Sequence, residues 1–438
     1  MTTIHEPARD VPIAYACDLC VIGGSCTGVF AAVRAARLGL SVALVEQNIL
    51  LGGMATAAQV NEWHSLHDAL GRNQIIKGLT SEVIEKLRLR NAVRDGVREQ
   101  RGPYFLFNSA ELSLELDHLI REHGIRLFLK GACVAAVREG NRIMAAVIED
   151  KSGRRAIKAR QFIDASGDGD LLRRAGFEAW QHPVLQPVSY QMLATGLGRG
   201  IWAQVKERVG DYGYPSDYPG PWINACPAPA ELNNVYGPRL HGCDSSDADQ
   251  YTAAVMESRR CHHALLEAVR GEIGSDVAAV SFAHALGIRE TWHARCRHQL
   301  TAAELLNGIP CDDAIACGTY PVDIHAPEGT LLRYMDGREE FVGRDGQHTW
   351  RRWRSETDDS PLYYQIPYRC LLPETAENLL VAGRLLDADR DAFDGVRVMV
   401  NMNQTGEAAG VASALALRDD VKVGDLNPKR LQEVLWGD

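Results

Sequence analysis

"VIGGSCTG", residues 21–28, has the outline of a turn that cradles a pyrophosphate, with one glycine replaced. The fingerprint G-x-G-x-x-G asks for glycine at its first, third and sixth places. Gly23 and Gly28 fill the first and last, and Ser25 holds the middle. The surroundings decide whether the loop still works. "CDLCVI" (17–22) before it is a short apolar run that reads as a strand. After it, Val29, Ala32, Val33, Ala36 and Leu38 in "GVFAAVRAARLG" form a helical stripe that Gly39 ends. "LSVALVEQ" (40–47) then reads as a second strand with Glu46 at its end. An acid about 20 residues past the loop is placed to meet the ribose hydroxyls of an adenine nucleotide. Gly23 is needed for the tight turn and Gly28 for close packing of helix on strand; the middle glycine only makes room for phosphate. Ser25 adds a hydroxyl that can donate to phosphate, and the free N–H groups at the helix N-terminus carry most of the anion binding. The loop from Gly23 through Gly24, Ser25, Cys26 and Thr27 to Gly28 is therefore expected to hold a dinucleotide, with Glu46 and Gln47 at its adenosine end.

The rest of the composition narrows the class. A chain of 438 residues has room for two or three lobes. Its net charge of −10 argues against a nucleic-acid surface, which needs a basic footprint. No run of 18 or more apolar residues suggests a membrane span. The first residues, "MTTIHEPARDVPIAYA", lack the basic and apolar regions of a secretory signal. Eleven cysteines, an odd number scattered along the chain, suit a reducing compartment, and a cytoplasmic location is expected. Cys17 and Cys20 form a C-x-x-C inside an expected strand, where packed thiols are the reading rather than a redox pair. Cys311 and Cys317 have no second ligand pair, so no metal is expected. Cys26, inside the phosphate turn, invites a redox reading, but with a dinucleotide bound it would face phosphate, and a packing role is expected.

A nicotinamide dinucleotide needs little beyond this first unit, whereas a flavin ring must be held well away from the adenine. Three further glycine-rich stations follow: "LLGGMAT" (50–56), "FIDASGDGDLLRRAG" (162–176), and a strand, turn, loop and long helix in "NLLVAGRLLDADRDAFDGVRVMVNMNQTGEAAGVASALAL" (378–417). Together with "GIRET", "DDAIACGTYPVDIH" and "YYQIPYRCLLP", these stretches resemble the FAD-dependent oxidoreductases of the glutathione-reductase-like Rossmann superfamily. Within it the chain resembles a branch distantly related to fumarate reductase and succinate dehydrogenase flavoproteins. The resemblance implies an α/β fold: an FAD-binding Rossmann lobe from residues 1–180 and 370–438, with an inserted α+β cap from 181–369. It implies FAD as cofactor and places at the FAD site Gly52, Gly53, Met54 and Ala55, then Val134, then Ser166, Gly167 and Asp168. In the C-terminal part it places Gly383, Arg384, Arg397 and Val398 there. It also aims the N-terminus of the last long helix at the flavin, with Asn403, Gln404, Thr405 and Gly406 at that end. A helix N-terminus there stabilises negative charge on the reduced ring. In the middle of the chain, 211–238 reads as loop, rich in Pro, Gly and aromatics, and 249–273 as one amphipathic helix.

Substrate chemistry is less legible. If "GIRETWH" (287–293) is a strand, Arg289, Thr291 and His293 share one face and Ile288, Glu290 and Trp292 the other. Arg289 could clamp a carboxylate or donate a proton, or sit in a structural ion pair. His64 and His67 in "NEWHSLHDALGR" (61–72) share a face if helical, and His64 is the first candidate base. Relatives often carry histidines in the stretch that here reads "LLDADRDAFDG", so Asp389, Asp391 or Asp394 could act instead. No histidine occurs in "QNILLGGMAT", where relatives attach flavin covalently, so non-covalent FAD is expected. The leading expectation is a soluble enzyme moving a hydride between FAD and a small organic molecule. A redox sensor or non-catalytic subunit of a complex is the alternative. An NAD enzyme without flavin is disfavoured, since no second complete G-x-G-x-x-G follows. The sequence leaves the oligomeric state open.

Overall fold

A computed structural model describes residues 2–98, 102–198, 200–229, 231–274, 276–356 and 359–437. Strand β1 (Ile13–Ile22) leads through the glycine turn into helix α1 (Cys26–Arg37) and strand β2 (Val42–Glu46). Four more strands of the same sheet follow: β3 (Arg126–Leu129), β4 (Ala132–Glu139), β5 (Arg142–Asp150) and β6 (Gly153–Asp164). The order β3-β2-β1-β6 is parallel throughout. β6 is long enough to serve two partners on one edge. Its first half pairs antiparallel with β5, and its last residues, Phe162–Asp164, pair parallel with a short C-terminal strand, Leu379–Val381. The parallel layer is therefore closed by a segment from the far end of the chain.

From Leu19 on in β1 and up to Val45 in β2 the residues are apolar on both sides, as a strand covered on both faces requires. Leu19, Val21 and Leu44 pack towards α1, while Cys20, Ile22, Ala43 and Val45 pack against the opposite face. The expected stripe of α1 is buried except at its end: the helix stops at Arg37, and Leu38 is 41% exposed. Gly39 takes φ +91°, a left-handed turn that ends the helix.

The middle of the chain forms an antiparallel sheet of β7 (Val188–Thr195), β8 (Trp222–Ala225), β9 (Leu232–Leu240) and β10 (Ala278–Phe282), in the order β8-β9-β7-β10. The stretch 211–238 is thus not all loop. It contains β8 and most of β9, whose alternation is hidden by interspersed Pro, Gly and Asn. The expected amphipathic helix is present as α2 (Ala248–Ile273), and its Cys261, Leu265 and Val269 pack on Met192 and Val235 of the sheet. A four-stranded meander, β11 (Val322–Ala326), β12 (Gly329–Arg333), β13 (Arg338–Gly343) and β14 (His348–Arg352), follows. The chain returns to the parallel sheet as β15 (Leu379–Val381), a short helix α3 (Arg390–Val396) and the long helix α4 (Met399–Asp419).

Helix α4 is buried on nearly every side and lies against α1. Small residues make that approach possible. A Cβ on Gly406 would stand 2.0 Å from the Thr27 carbonyl oxygen, and one on Gly410 would stand 2.2 Å from that of Ala31. Glu407 is carried into this interface, 4% exposed, where its carboxylate accepts from the Leu79 N–H at 3.1 Å and lies 3.8 Å from Arg34. Burial pushes its carboxyl up to about 7 from an ordinary 4.5. The folded state then holds the proton more tightly than the unfolded chain. The contribution is present below about pH 4.5 and lost as pH rises through about 7. Glu407→Gln is expected to flatten this slope. Melting temperatures taken at about pH 5 and about pH 8 should differ less in the variant than in the parent.

Candidate functional site

One cavity of about 1510 Å³ runs from the glycine turn into the middle of the molecule. Ligand pockets usually measure about 300–1,000 Å³, so this volume admits a dinucleotide and a second molecule together. At the turn it is lined by Gly23, Ser25, Cys26 and Thr27, with Glu46 and Gln47 beside them. Gly24 and Gly28 lie behind this surface. The Gly24 N–H donates to Glu46 Oε2 at 2.7 Å, and Gly28 presses on the turn, its would-be Cβ only 1.8 Å from the Gly23 carbonyl oxygen. Ser25 is the N-cap of α1, its hydroxyl accepting from the Gly28 N–H at 3.4 Å. That leaves the hydroxyl proton to donate outward. A serine N-cap exchanged for glycine costs only a few tenths of a kcal/mol. Ser25→Gly is therefore expected to retain its cofactor through dialysis nearly as well as the parent. Cys26 is buried, its thiol donating to the Gly52 carbonyl at 3.7 Å, and burial pushes that thiol up to about 12. This is a packed cysteine. Cys17 and Cys20 likewise sit in β1 with thiols pushed up by burial.

The other stations converge on the same space. Gly52, Gly53 and Met54 line the cavity, whereas Ala55 is wholly buried beneath them. Ser166, Gly167 and Asp168 line it from the end of β6, held by Asp164, whose buried carboxylate accepts from the Ser166 hydroxyl and from the Leu171 and Leu172 amides. Val134 does not line it; Cys133 does. The pairing of β4 with β5 shifts register between Cys133 and Ala135, so Val134 is the bulged residue and the facing side chain moves by one. Gly383, Arg384, Arg397 and Val398 all reach the cavity. At the C-terminal helix the expected register needs correction. α4 starts at Met399, so Val398, Met399, Met402 and Asn403 meet the cavity. Gln404 is turned to the backbone of Cys317, Thr405 accepts from the Gly383 N–H, and Gly406 packs on α1.

The cavity continues past Met54 to a set of charged side chains. "GIRETWH" is extended but mostly outside any sheet: Gly287 bridges to Ser189 at its start, and His293 at its end pairs, with Ala294, to 179–180. Arg289 lines the cavity, donating to the Pro187 carbonyl at 2.8 Å, and among the described residues no carboxylate lies within ion-pair distance of it. Burial lowers its pKa to about 9, and Arg397 and Arg239 add repulsion. His241 is likewise depressed, by burial and then by Arg239, Arg289 and Arg344. Arg397 differs: against the effect of burial, Asp323 and Asp394 raise it, and it reaches Asp323 and Asp394 at 3.4 Å each. This end of the cavity therefore carries positive potential, which suits an anion. The even alternation expected around Arg289 fails next door. Glu290 and His293, assigned to opposite faces, lie 3.3 Å apart. Thr291 bonds Gly167 and Asp168 instead of facing the cavity.

The segment 61–72 is not helical: Glu62–Trp63 is a short strand and the rest is loop. His64 nevertheless lines the cavity, its ring 4.2 Å from that of Tyr320 and its Nδ1 3.5 Å from Glu62. His67 does not line it. Its backbone bridges to Gln74. Asp389 caps α3, Asp391 pairs with Arg333 at 2.6 Å and Asp394 is buried behind Arg397, so none of the three lines the cavity. Sequence reasoning missed Tyr320, Asp323, His325 and Arg239. Tyr320 donates to Asp323 at 2.9 Å, and Asp323 and His325 sit two apart on β11. That i, i+2 spacing of chemically active side chains was the available signal.

The residues present fit a dinucleotide on their own evidence. The turn exposes backbone where any side chain would clash. Arg384, tied to Asp168 at 3.3 Å through Nη2, has a buried Nη1 with no partner at the cavity edge. Residues 18–435 match the family described as FAD dependent oxidoreductase. The chain belongs to that family. This FAD-dependent oxidoreductase has the mixed α/β FAD-binding fold, and its cofactor is FAD. Among solved structures it is similar to a geranylgeranyl bacteriochlorophyll reductase-like protein from Thermoplasma acidophilum, 12% identical with a TM-score of 0.48 over 96% of this chain and 82% of that one. It is also similar to the flavin-dependent brominase Bmp2 (11%, TM-score 0.44, 96% and 82%). The p-nitrophenol 4-monooxygenase PnpA from Pseudomonas putida is a third such structure (9%, 0.42, 97% and 81%). No curated protein matches the oxidoreductase. No helix among its described residues is long and apolar enough to cross a membrane.

Proposed function

We propose that this oxidoreductase exchanges a hydride between non-covalently held FAD and a small organic substrate bearing a carboxylate or carbonyl, which Arg289 binds. The observation that carries the reading is the position of Arg289. It opens on the cavity that the dinucleotide loops line, with one carbonyl partner and no carboxylate at ion-pair distance among the described residues. FAD supplies the two-electron chemistry; the chain supplies binding, orientation and charge. The N-terminus of α1 receives the pyrophosphate, with Arg384 beside it. Glu46 accepts from the ribose hydroxyls. The N-terminal turn of α4, which lines the cavity at Met399 and Met402, favours negative charge on the ring. Arg289 orients the substrate through its planar fork. His64, oriented by Glu62, takes or returns a proton at its ring nitrogen beside Tyr320.

The protein is expected to purify yellow and to release its flavin into the supernatant on acid precipitation. A colourless protein that FAD cannot reconstitute, or colour that stays in the pellet, refutes this. Anaerobic bleaching of the flavin by candidate acids and carbonyl compounds then tests the substrate class. A neutral substrate without a carbonyl would contradict it. Glu46→Ala removes a carboxylate that, besides the ribose role, accepts from Gly24 at 2.7 Å and from the Asn48 amides at 2.7 and 2.8 Å. Hydrogen bonds to a charged group contribute about 1.5–3 kcal/mol, so a loss of FAD affinity of at least about tenfold is expected in flavin content after dialysis.

A further inference from the structure

Behind Arg289, on the side away from the cavity, three buried side chains converge: His182, Glu290 and His293. One ligand atom from each lies within 4.8 Å of the other two. Glu290 Oε1 is in contact with His182 Nδ1 and lies 3.3 Å from His293 Nε2. The other carboxylate oxygen is already occupied, accepting from the Gln186 N–H at 2.7 Å. Both imidazoles therefore address a single oxygen.

The protons at His293 sharpen the point. Its Nδ1 lies 3.1 Å from the Leu386 carbonyl, which can only accept, so Nδ1 carries a hydrogen. In the neutral ring Nε2 is then a bare lone pair, and it faces the lone pairs of Glu290 Oε1. Something positive must stand between them. A ring N–H given to a backbone carbonyl, with the opposite nitrogen turned to a shared centre, is how metal-binding histidines are held. Two imidazoles and one carboxylate are a known ligand set for zinc and for other divalent transition metals. Trp180 and Phe393 close the space, with ring centroids 4.8 and 4.5 Å from His293. Two further buried carboxylates stand close by to balance charge. Asp387 follows the Leu386 carbonyl in the chain, and Asp394 accepts from the Gln186 side chain at 2.7 Å.

We propose that His182 Nδ1, Glu290 Oε1 and His293 Nε2 bind a divalent transition metal, zinc by preference, which ties residue 182 to the segment that presents Arg289 and Thr291. Zinc bonds of about 2.0–2.2 Å set ligand atoms in a tetrahedron somewhat over 3 Å apart. The Glu290–His293 spacing already has that value, and the His182–Glu290 contact opens as the metal replaces the proton between them. The centre is structural, since its three ligands are buried and none of them lines the cavity. It needs neither FAD nor turnover.

The test uses the full-length, flavin-loaded protein with any affinity tag removed, purified without chelator. Metal is counted by mass spectrometry, as isolated and after incubation with zinc and gel filtration. About one zinc per chain is expected, with nitrogen and oxygen neighbours at about 2.0–2.2 Å and imidazole scattering in zinc-edge absorption. His182→Asn and His293→Ala should each lose that zinc, and His348→Ala, at the far meander, should keep it. Zinc below about a tenth per chain in both parent preparations overturns the proposal and leaves an imidazolium–carboxylate pair at the site. Sulfur neighbours, or full zinc in both ligand variants, overturn it equally by placing the metal on cysteine. Should neither ligand variant fold, the stoichiometry and spectrum of the parent decide alone.

Discussion

Gly28→Ala is expected to give mostly insoluble protein, and the soluble remainder is expected to be colourless. The added methyl would lie 1.8 Å from the Gly23 carbonyl oxygen, 3.0 Å from its carbon and 3.3 Å from the Ala165 Cβ. The nearest atoms are backbone, so no rotamer change relieves the clash. Overpacking in places where side chains can adapt costs about 1–3 kcal/mol. Here the helix itself must move, and α4 blocks it from the other side through Gly406 and Gly410. A cost above the usual range removes a large share of the roughly 5–15 kcal/mol that holds a domain folded. It also lifts the helix N-terminus away from the pyrophosphate. Gly210→Ala, where a Cβ meets nothing within 4 Å, is the control. Soluble yield and flavin-to-protein absorbance ratio measure the outcome, and a fully loaded Gly28→Ala protein would show that the turn is more pliable than the packing indicates.

Arg289→Ala is expected to spare the fold and cripple turnover. The side chain donates to one carbonyl, that of Pro187, and forms no ion pair among the described residues, so its removal leaves no buried carboxylate stranded. Truncating one member of a desolvated charge pair costs about 2–5 kcal/mol in binding, equivalent to about thirtyfold or more in kcat/KM. Arg289→Lys keeps the charge but not the planar fork and should fall between. The flavin spectrum and melting temperature should stay at parental values in both. With the substrate that bleaches the flavin, turnover of Arg289→Ala within about threefold of the parent would remove Arg289 from the site. A large fall in melting temperature would instead assign it a structural role.

The parallel layer was legible because its rules are local. A strand, a glycine turn, a helix and a terminal acid follow one another in 17–46, and each has its own residue signature. The C-terminal station was legible as elements but not as register. Where a helix begins depends on its cap, and α4 starts at Met399 with no side-chain cap bond to mark the place. Hence Asn403 meets the cavity while Gln404, Thr405 and Gly406 turn to Cys317, Gly383 and α1. Val134 was displaced by a bulge, which leaves no mark in composition. The electropositive end of the cavity was the least legible part. Arg239 comes from β9, Arg289 from an extended segment, Asp323 and His325 from β11 and Arg397 from beside α3. Only tertiary structure brings them together. Alternation failed at Glu290 and His293 because periodicity of two holds inside a sheet, and this segment lies outside one.

The pairing of β15 with the end of β6 also sets a timetable for synthesis. About 215 residues separate Asp164 from Leu379. At about 5–20 residues per second, the edge of the parallel layer emerges from the ribosome roughly 10–40 s before the strand that covers it. Helix α1, which ends at Arg37, waits longer still for α4, which begins at Met399: roughly 20–70 s at the same rate. Throughout that interval the nascent chain offers an uncovered strand edge and an apolar helix face to anything nearby, the usual invitation to chaperones and to misassembly. Closure comes only once β15 and α4 have been made. A stop codon between α3 and α4 would therefore do more than shorten the product, because it would leave the first-made lobe permanently without its lid of α4.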